Sequence, residues 1–324
     1  MISRVAESCL WLFRYIERAE NMARLLRVNR SFVLDVHLPA RDRWRPVIVV
    51  SGEEKRYVDR FSVEAGFDGA QVQDYLTWDE DNPVSIFSSV KWARENARTI
   101  REVISLEMWE ALNGLWHWLR SSEGRAAYGE DREAFYRYVQ EQSQLLQGVC
   151  HNTVLHEQPF DFMRLGMLLE RAGQTARIID VEHHLLGEAP ASNGESALEA
   201  AQWLALLRMC SATEPFFKRM RRPPQGRAVI AFLVLEPRFP RSVLHCLDRA
   251  WNFARRIAAD TGRQDALAST ALLAALVESV RAHTPATLFE RGVHTELTRI
   301  IDQTAEVCAA VHGDYFNPTF DALS

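Results

Sequence analysis

The run Leu10-Trp11-Leu12-Phe13-Arg14-Tyr15-Ile16-Glu17-Arg18-Ala19-Glu20-Asn21-Met22-Ala23-Arg24-Leu25-Leu26 decides the fold class. Leu12, Ile16, Ala19, Ala23 and Leu26 recur at the three- and four-residue spacing that lines one face of a helix. At about 100° per residue, Arg14, Glu17, Arg18, Asn21 and Arg24 share an arc of roughly 120°. Apolar side chains cover much of the remaining circumference, so the spacing predicts a mostly buried helix that carries a charged stripe inward with it.

Helical periodicity continues outward from this run through residues 84–119, 132–155, 160–186, 195–209, 241–259, 265–282 and 294–311. Only residues 46–50 and 228–235 could pass for strands, and the first is short enough to be a helix start. Turn chemistry gathers at residues 79–83, 121–129, 187–194 and 221–226. Asn82-Pro83 reads as a capping residue followed by proline at the first helical position. The fold expected is all-α, a multi-helix bundle with about ten or more helices.

The chain also repeats itself. A shift of 153 residues lays Leu12–Leu26 on residues 165–179, with Glu17-Arg18-Ala19 on Glu170-Arg171-Ala172 and Ala23-Arg24 on Ala176-Arg177. A shift of 157 lays residues 72–100 on 229–257, matching Pro83/Pro240, Ser85/Ser242, Ala93/Ala250, Ala97/Ala254 and Arg98/Arg255. Two nearly equal shifts in the same order point to a tandem duplication. The expected organisation is one domain, residues 1–324, built from related halves at about 1–150 and 157–324 and packed as one body.

Composition narrows the function. With 38 Lys plus Arg against 43 Asp plus Glu, the net charge of −5 lacks the concentrated basic face that nucleic acid requires. The longest apolar stretches fall well short of the roughly 20 residues that span a bilayer. Glu7 comes early and no basic, then apolar, leader pattern precedes it, so a cytoplasmic protein is expected. Five cysteines, odd in number and far apart, read as reduced core residues. Phosphate loops of the G-x-x-x-x-G-K-[ST] or G-x-G-x-x-G kind, H-E-x-x-H and G-x-S-x-G are all missing, so ATP chemistry would have to come from a partner and no cofactor is expected. His183 and His184 are adjacent and point about 100° apart on a helix, which makes a poor chelate, and no metal site is expected. Trp109, Trp116 and Trp118 read as core.

Four stretches taken together are distinctive: residues 11–21; Asn82-Pro83-Val84-Ser85-Ile86; Ala93-Arg94-Glu95-Asn96-Ala97-Arg98 running on to Met108-Trp109-Glu110-Ala111-Leu112-Asn113; and Leu165-Gly166-Met167-Leu168-Leu169-Glu170-Arg171-Ala172. The set resembles the alpha-E family of helical bacterial proteins, named for an E-R motif, over nearly the whole chain. The resemblance implies an all-helical protein that works beside a circularly permuted ATP-grasp amide ligase, often with a transglutaminase-like peptidase nearby. It therefore implies a non-catalytic partner or scaffold in peptide synthesis or modification. The alternative is a helical enzyme using Glu17 or Glu170 as acid or base on an anionic or peptide-like molecule.

The candidate seam comprises Arg14, Glu17, Arg18, Asn21 and Arg24, with Glu170, Arg171, Gln174 and Arg177 from the second half and Arg94, Glu95, Asn96 and Arg98 from the intervening helix. Glu, Arg, Asn/Gln and Arg persist between the halves while neighbours change, and Arg14 becomes Met167. Three readings remain open: an internal Glu–Arg network that fixes how the halves pack, a site for an anionic or peptide-like ligand or partner, or a solvated stripe. The first would pair the glutamates with Arg24, Arg177 or the arginines of the residue 93–101 helix.

Overall fold

The computed structural model describes residues 3–35, 43–62, 66–186, 197–262, 267–290 and 292–316. Among them are sixteen helices and no strand. The first eight are α1 (Ser3–Asp35), α2 (Arg45–Ser51), α3 (Glu54–Arg60), α4 (Gly69–Trp78), α5 (Ile86–Thr99), α6 (Leu106–Arg120), α7 (Ser122–Glu130) and α8 (Arg132–Thr153). The second eight are α9 (Gln158–Leu186), α10 (Ala197–Met209), α11 (Thr213–Met220), α12 (Gly226–Leu235), α13 (Val243–Asp260), α14 (Ala268–Arg281), α15 (Pro285–Glu290) and α16 (Val293–Tyr315).

Both strand-like runs are helical, in α2 and α12. All of α12 from Ala228 to Val234 is buried, so no polar face marks the helical period, and a fully enclosed helix reads like an enclosed strand. Residues 121–129, expected as a turn, form the start and body of α7, which Ser121 caps by accepting the Gly124 N–H. Asn82 is not the cap of α5. Its side chain accepts the Val84 N–H and donates to the Tyr75 carbonyl, closing a turn, while Ser85 caps the helix by accepting the Ser88 N–H at 3.0 Å. Ser242 caps α13 in the same manner, accepting the His245 N–H at 3.2 Å. The break expected at residues 187–194 lies outside the described residues.

The two longest helices, α1 and α9, form the centre. Helix α1 packs against α5 and α8, α9 packs against α13 and α16, and α1 and α9 pack on each other. The outer contacts also correspond: α5 meets α6 as α13 meets α14, and α6 meets α8 as α14 meets α16. Small side chains allow this closeness. Ala19, Ala23, Ala93, Ala97, Ala172, Ala176 and Ala250 are fully buried, and Ala254 nearly so. The tightest approach is at Gly166, where a Cβ would stand 2.3 Å from the Leu10 carbonyl oxygen. Leu10 meets Gly166, Arg14 and Arg18 meet Glu170, and Glu17 meets Arg171. The numbering rises together, so the two helices run side by side in the same direction. Four of the five cysteines are buried and all are free thiols. Trp116 is buried, with Trp109 and Trp118 partly buried against the core.

Candidate functional site

Glu17 lies on α1 with no solvent exposure, and both its oxygens are occupied. Arg171 of α9 donates to them in a fork, Nε to Oε1 at 2.8 Å and Nη2 to Oε2 at 2.7 Å. Arg241, just before α13, adds Nη1 to Oε1 at 3.0 Å, while Asn21 and Gln147 donate at 3.2 and 3.3 Å. One turn along, Glu20 is equally buried and accepts from Arg241 Nη2 at 2.6 Å and from Arg24. Arg24 also donates its Nε to the Met209 carbonyl at 2.6 Å, tying α1 to the end of α10. Fork-like guanidinium–carboxylate pairs of this kind fix orientation as well as charge.

The mirror contact lies on α9. Glu170 accepts from Arg18 Nε at 2.8 Å and Nη2 at 3.1 Å, and from Arg14 Nε at 3.1 Å. The Glu of each E-R pair thus meets the Arg of the other: Glu17 with Arg171, Glu170 with Arg18. Consecutive residues on a helix diverge by about 100°, so one dipeptide sends its carboxylate toward one edge of the facing helix and its guanidinium toward the other.

Burial alone would raise both carboxyl pKa values. The Arg171 and Arg241 guanidiniums outweigh it at Glu17 and hold the group down at about 2. Arg18 and Arg14 hold Glu170 well below the usual carboxylate range. Arg24 is pushed the other way, to about 10, by burial and by neighbouring Arg241. Both glutamates are therefore ionised acceptors with their lone pairs engaged.

The seam assembles nine of the expected residues: Arg14, Glu17, Arg18, Asn21, Arg24, Glu170, Arg171, Gln174 and Arg177. Gln174 reaches Glu170 Oε1 at 3.4 Å, and Arg177 acts on Glu170 through charge alone. Arg94, Glu95, Asn96 and Arg98 are a correction. They form a separate network on α5 that reaches α6, with Arg94 donating to Asn113 of α6 at 2.8 Å, Glu95 bridging Arg94 and Arg98, and Asn96 bonding back to the Trp92 carbonyl. Helix α5 turns Ala93 and Ala97 inward, and the arginines next to them point about 100° away. The expected partners were also wrong in detail, since Arg24 pairs with Glu20 and Glu17 takes Arg171 and Arg241. Sequence reasoning missed Glu20, Arg241, Gln144 and Gln147. The four-residue step from Glu20 to Arg24 was a readable signal, whereas Arg241 sits in a loop and its counterpart in the first half is Val84.

Away from the seam, Asp180, His184 and His294 could hold a metal ion, their ligand atoms lying within 4.8 Å of one another. His294 Nδ1 lies 2.7 Å from Asp180 Oδ1 and 2.8 Å from His184 Nε2. Adjacent His183 and His184 do make a poor chelate, but packing of α16 on α9 gives His184 a different histidine, one that no sequence spacing could reveal.

The fold and seam define a class: an all-helical protein whose two longest helices are clasped by reciprocal glutamate–arginine pairs. Residues 1–316 match the Alpha-E family, described as a predicted alpha-helical domain with a conserved ER motif, and the chain belongs to it. Among curated proteins it is similar to an uncharacterized protein of Mycobacterium bovis and to uncharacterized proteins of two Mycobacterium tuberculosis strains. Each is 25% identical over 266 residues, covering 76% of this chain and 29% of the relative. The chain thus spans less than a third of the length of these relatives. No solved structure matches it.

Proposed function

We propose that this chain is a non-catalytic helical partner or scaffold of a circularly permuted ATP-grasp amide ligase in peptide synthesis or modification. The observation that carries the reading is the state of the seam carboxylates: buried, ionised, and held on both oxygens by guanidiniums. Such groups fix the relative placement of two helical halves and have no free lone pair with which to take a proton, which weighs against Glu17 or Glu170 as a catalytic base. A second support is length, because the relatives carry more than two thirds of their residues outside the matched region, as a domain that works alongside others would. In this reading the halves arose by tandem duplication, supported by the two sequence shifts and by the corresponding helix contacts. The setting is the cytoplasm, supported by the finding that no described helix is long and apolar enough to cross a membrane. A transglutaminase-like protein is a further partner, and the ligand handled is peptide-like.

Co-expression with a circularly permuted ATP-grasp protein from the same source, followed by size-exclusion chromatography, tests the reading. Co-elution at micromolar concentration and a change in ligase turnover on adding the chain are expected. Separate elution with unchanged turnover would refute it. ATP hydrolysis by the ligase-free chain would favour the enzyme reading instead.

A further inference from the structure

Helices α1 and α9 can be compared position by position, because the 153-residue shift that aligns their sequences also aligns Glu17 with Glu170 in reciprocal contacts. Around Glu17, two carboxylates are bonded to three guanidiniums, Glu17 and Glu20 to Arg24, Arg171 and Arg241, and Arg164 acts on Glu17 through charge alone. Around Glu170, that single carboxylate is bonded to two, Arg14 and Arg18, and Arg177 acts on it through charge alone. Arg14 stands where α9 has Met167, Trp11 where α9 has Arg164, and Val84 where the second half has Arg241. The carboxylates do not balance. The counterpart of Glu20 is Gly173, and the counterpart of Arg24 is Arg177, four residues further along the same helix face.

Arg24 is paired with Glu20, whereas Arg177 makes no ion pair or hydrogen bond with any described residue. Its pKa is lowered by burial, with Glu170 acting to raise it and Arg18 and Arg14 to lower it. The room for a missing partner is present: Gly173 is buried, yet a Cβ placed there would meet nothing within 4 Å. This end of the seam also reaches solvent. The Arg14 and Arg18 side chains are 15% exposed, somewhat more than the 9% of Arg171 and the 11% of Arg241 at the Glu17 end.

We propose that the space beside Gly173, walled by Arg14, Arg18 and Arg177, binds a short-chain carboxylate in the place that the Glu20 side chain fills on the other side of the seam. One added carboxylate bonded to Arg177 would give this end two carboxylates on three bonded guanidiniums, as at Glu17 and Glu20, and the planar fork of Arg177 matches a carboxylate in two-point contact. The carboxylate arrives free or as the acidic side chain of a peptide. The proposal gives the ligand half of the functional reading a chemistry, and it can be tested on the chain alone, so its failure would leave the ligase contact standing.

Thermal unfolding of the full chain is measured in glutarate and in sodium chloride at matched ionic strength, and in acetyl-Gly-Glu-Gly-amide against the glutamine peptide. A millimolar site raises Tm by roughly 2–4 °C at about 20 mM ligand. A response to glutarate assigns the site to free carboxylates, and a response to the glutamyl peptide assigns it to side chains. Arg177→Gln is expected to hold its Tm in chloride and lose the response. Gly173→Glu is expected to gain Tm in chloride and lose the response, having supplied its own carboxylate. The proposal is overturned if neither ligand shifts wild-type Tm, if sulfate does so as strongly as glutarate, or if Arg177→Gln keeps the response.

Discussion

Substituting Glu17 by glutamine keeps the shape of the side chain and removes only its charge. Glu17 is fully buried, and its principal partner Arg171 is 7% exposed. The Arg171 guanidinium would lose both bonds of its fork to an anion and stay enclosed. Breaking a buried pair by removing one partner costs about 3–5 kcal/mol. The depressed pKa is consistent with that figure: a carboxyl held at about 2 instead of 4.5 contributes about 3 kcal/mol at neutral pH. A folded pKa below the unfolded one means that this contribution is complete above about pH 4.5 and is lost as pH falls toward 2. At about 1.5 °C per kcal/mol for a chain of this length, the Tm of Glu17→Gln at pH 7 should fall by roughly 4–8 °C. Its acid limb should be flatter than wild type below pH 4.5, because the group that titrates there is gone. Glu170→Gln should cost a comparable amount, since Arg18 and Arg14 hold its carboxyl at least as far below the usual range, although both arginines are 15% exposed and can turn partly toward water. Calorimetry across pH 2–8 decides the matter: a Glu17→Gln Tm within about 2 °C of wild type at pH 7 would refute the enclosed-network reasoning.

Glu182 is buried with no hydrogen bond to any described residue, and burial raises its carboxyl to about 7. The folded state therefore keeps a proton that the unfolded state releases, so wild-type stability should decline as pH rises from about 4.5 to 7, and Glu182→Gln should gain about 2–3 kcal/mol at pH 8 and little at pH 4; equal denaturation midpoints at both pH values would contradict this. Gly166→Ala drives a Cβ against the Leu10 carbonyl oxygen, a backbone atom that cannot swing aside, and should cost about 1–3 kcal/mol. Gly173→Ala enters open space and should be neutral or stabilising by up to about 1 kcal/mol; urea melts of the pair would expose an error if both behaved alike. Burial pushes the thiols of Cys150 and Cys246 up to about 12 and that of Cys210 to about 11, and Cys9 is raised further. Ellman's reagent should therefore find at most the partly exposed Cys308 in the native chain and all five thiols in denaturant.

The helical class and the charged stripe were legible because both are written in short spacings along one segment. Leu12, Ile16, Ala19 and Ala23 announce a helix, and the arc from Arg14 to Arg24 stands out against the apolar remainder. What spacing could not supply is which element faces the stripe. Arg241 enters from a loop 224 residues away, and nothing in its own surroundings separates it from the many other arginines. The α5 arginines were drawn in because they follow buried alanines in a repeated pattern, yet that pattern records only how closely helices approach. On α5 the side chain one residue on is turned out of the contact, whereas Arg24, in the same place after Ala23, is enclosed because the end of α10 lies against it. Residues 228–235 failed for the opposite reason, since total burial erases the polar half of the pattern on which the distinction between helix and strand depends.

Reciprocity between the two E-R pairs makes a further demand on the energetics. If Glu17 and Arg171 merely sat near each other, substituting each would cost an independent amount and the double variant would show the sum. The fork at 2.7 and 2.8 Å, closed away from water, makes them one unit. Arg171→Gln leaves Glu17 with Arg241 still bound at 3.0 Å, so this variant should be milder than Glu17→Gln, whose loss deprives two guanidiniums at once. In Glu17→Gln/Arg171→Gln the stranded Arg171 charge is gone, so the double variant should recover about 1–3 kcal/mol relative to the sum of the singles. The Glu170 and Arg18 cycle should return a smaller coupling, because Arg14 remains on Glu170 when Arg18 is removed and both arginines have access to solvent. Additive singles at the Glu17 end would mean that the seam is a row of separate contacts, and the clasp that holds the two long helices in register would have to lie in their apolar packing instead.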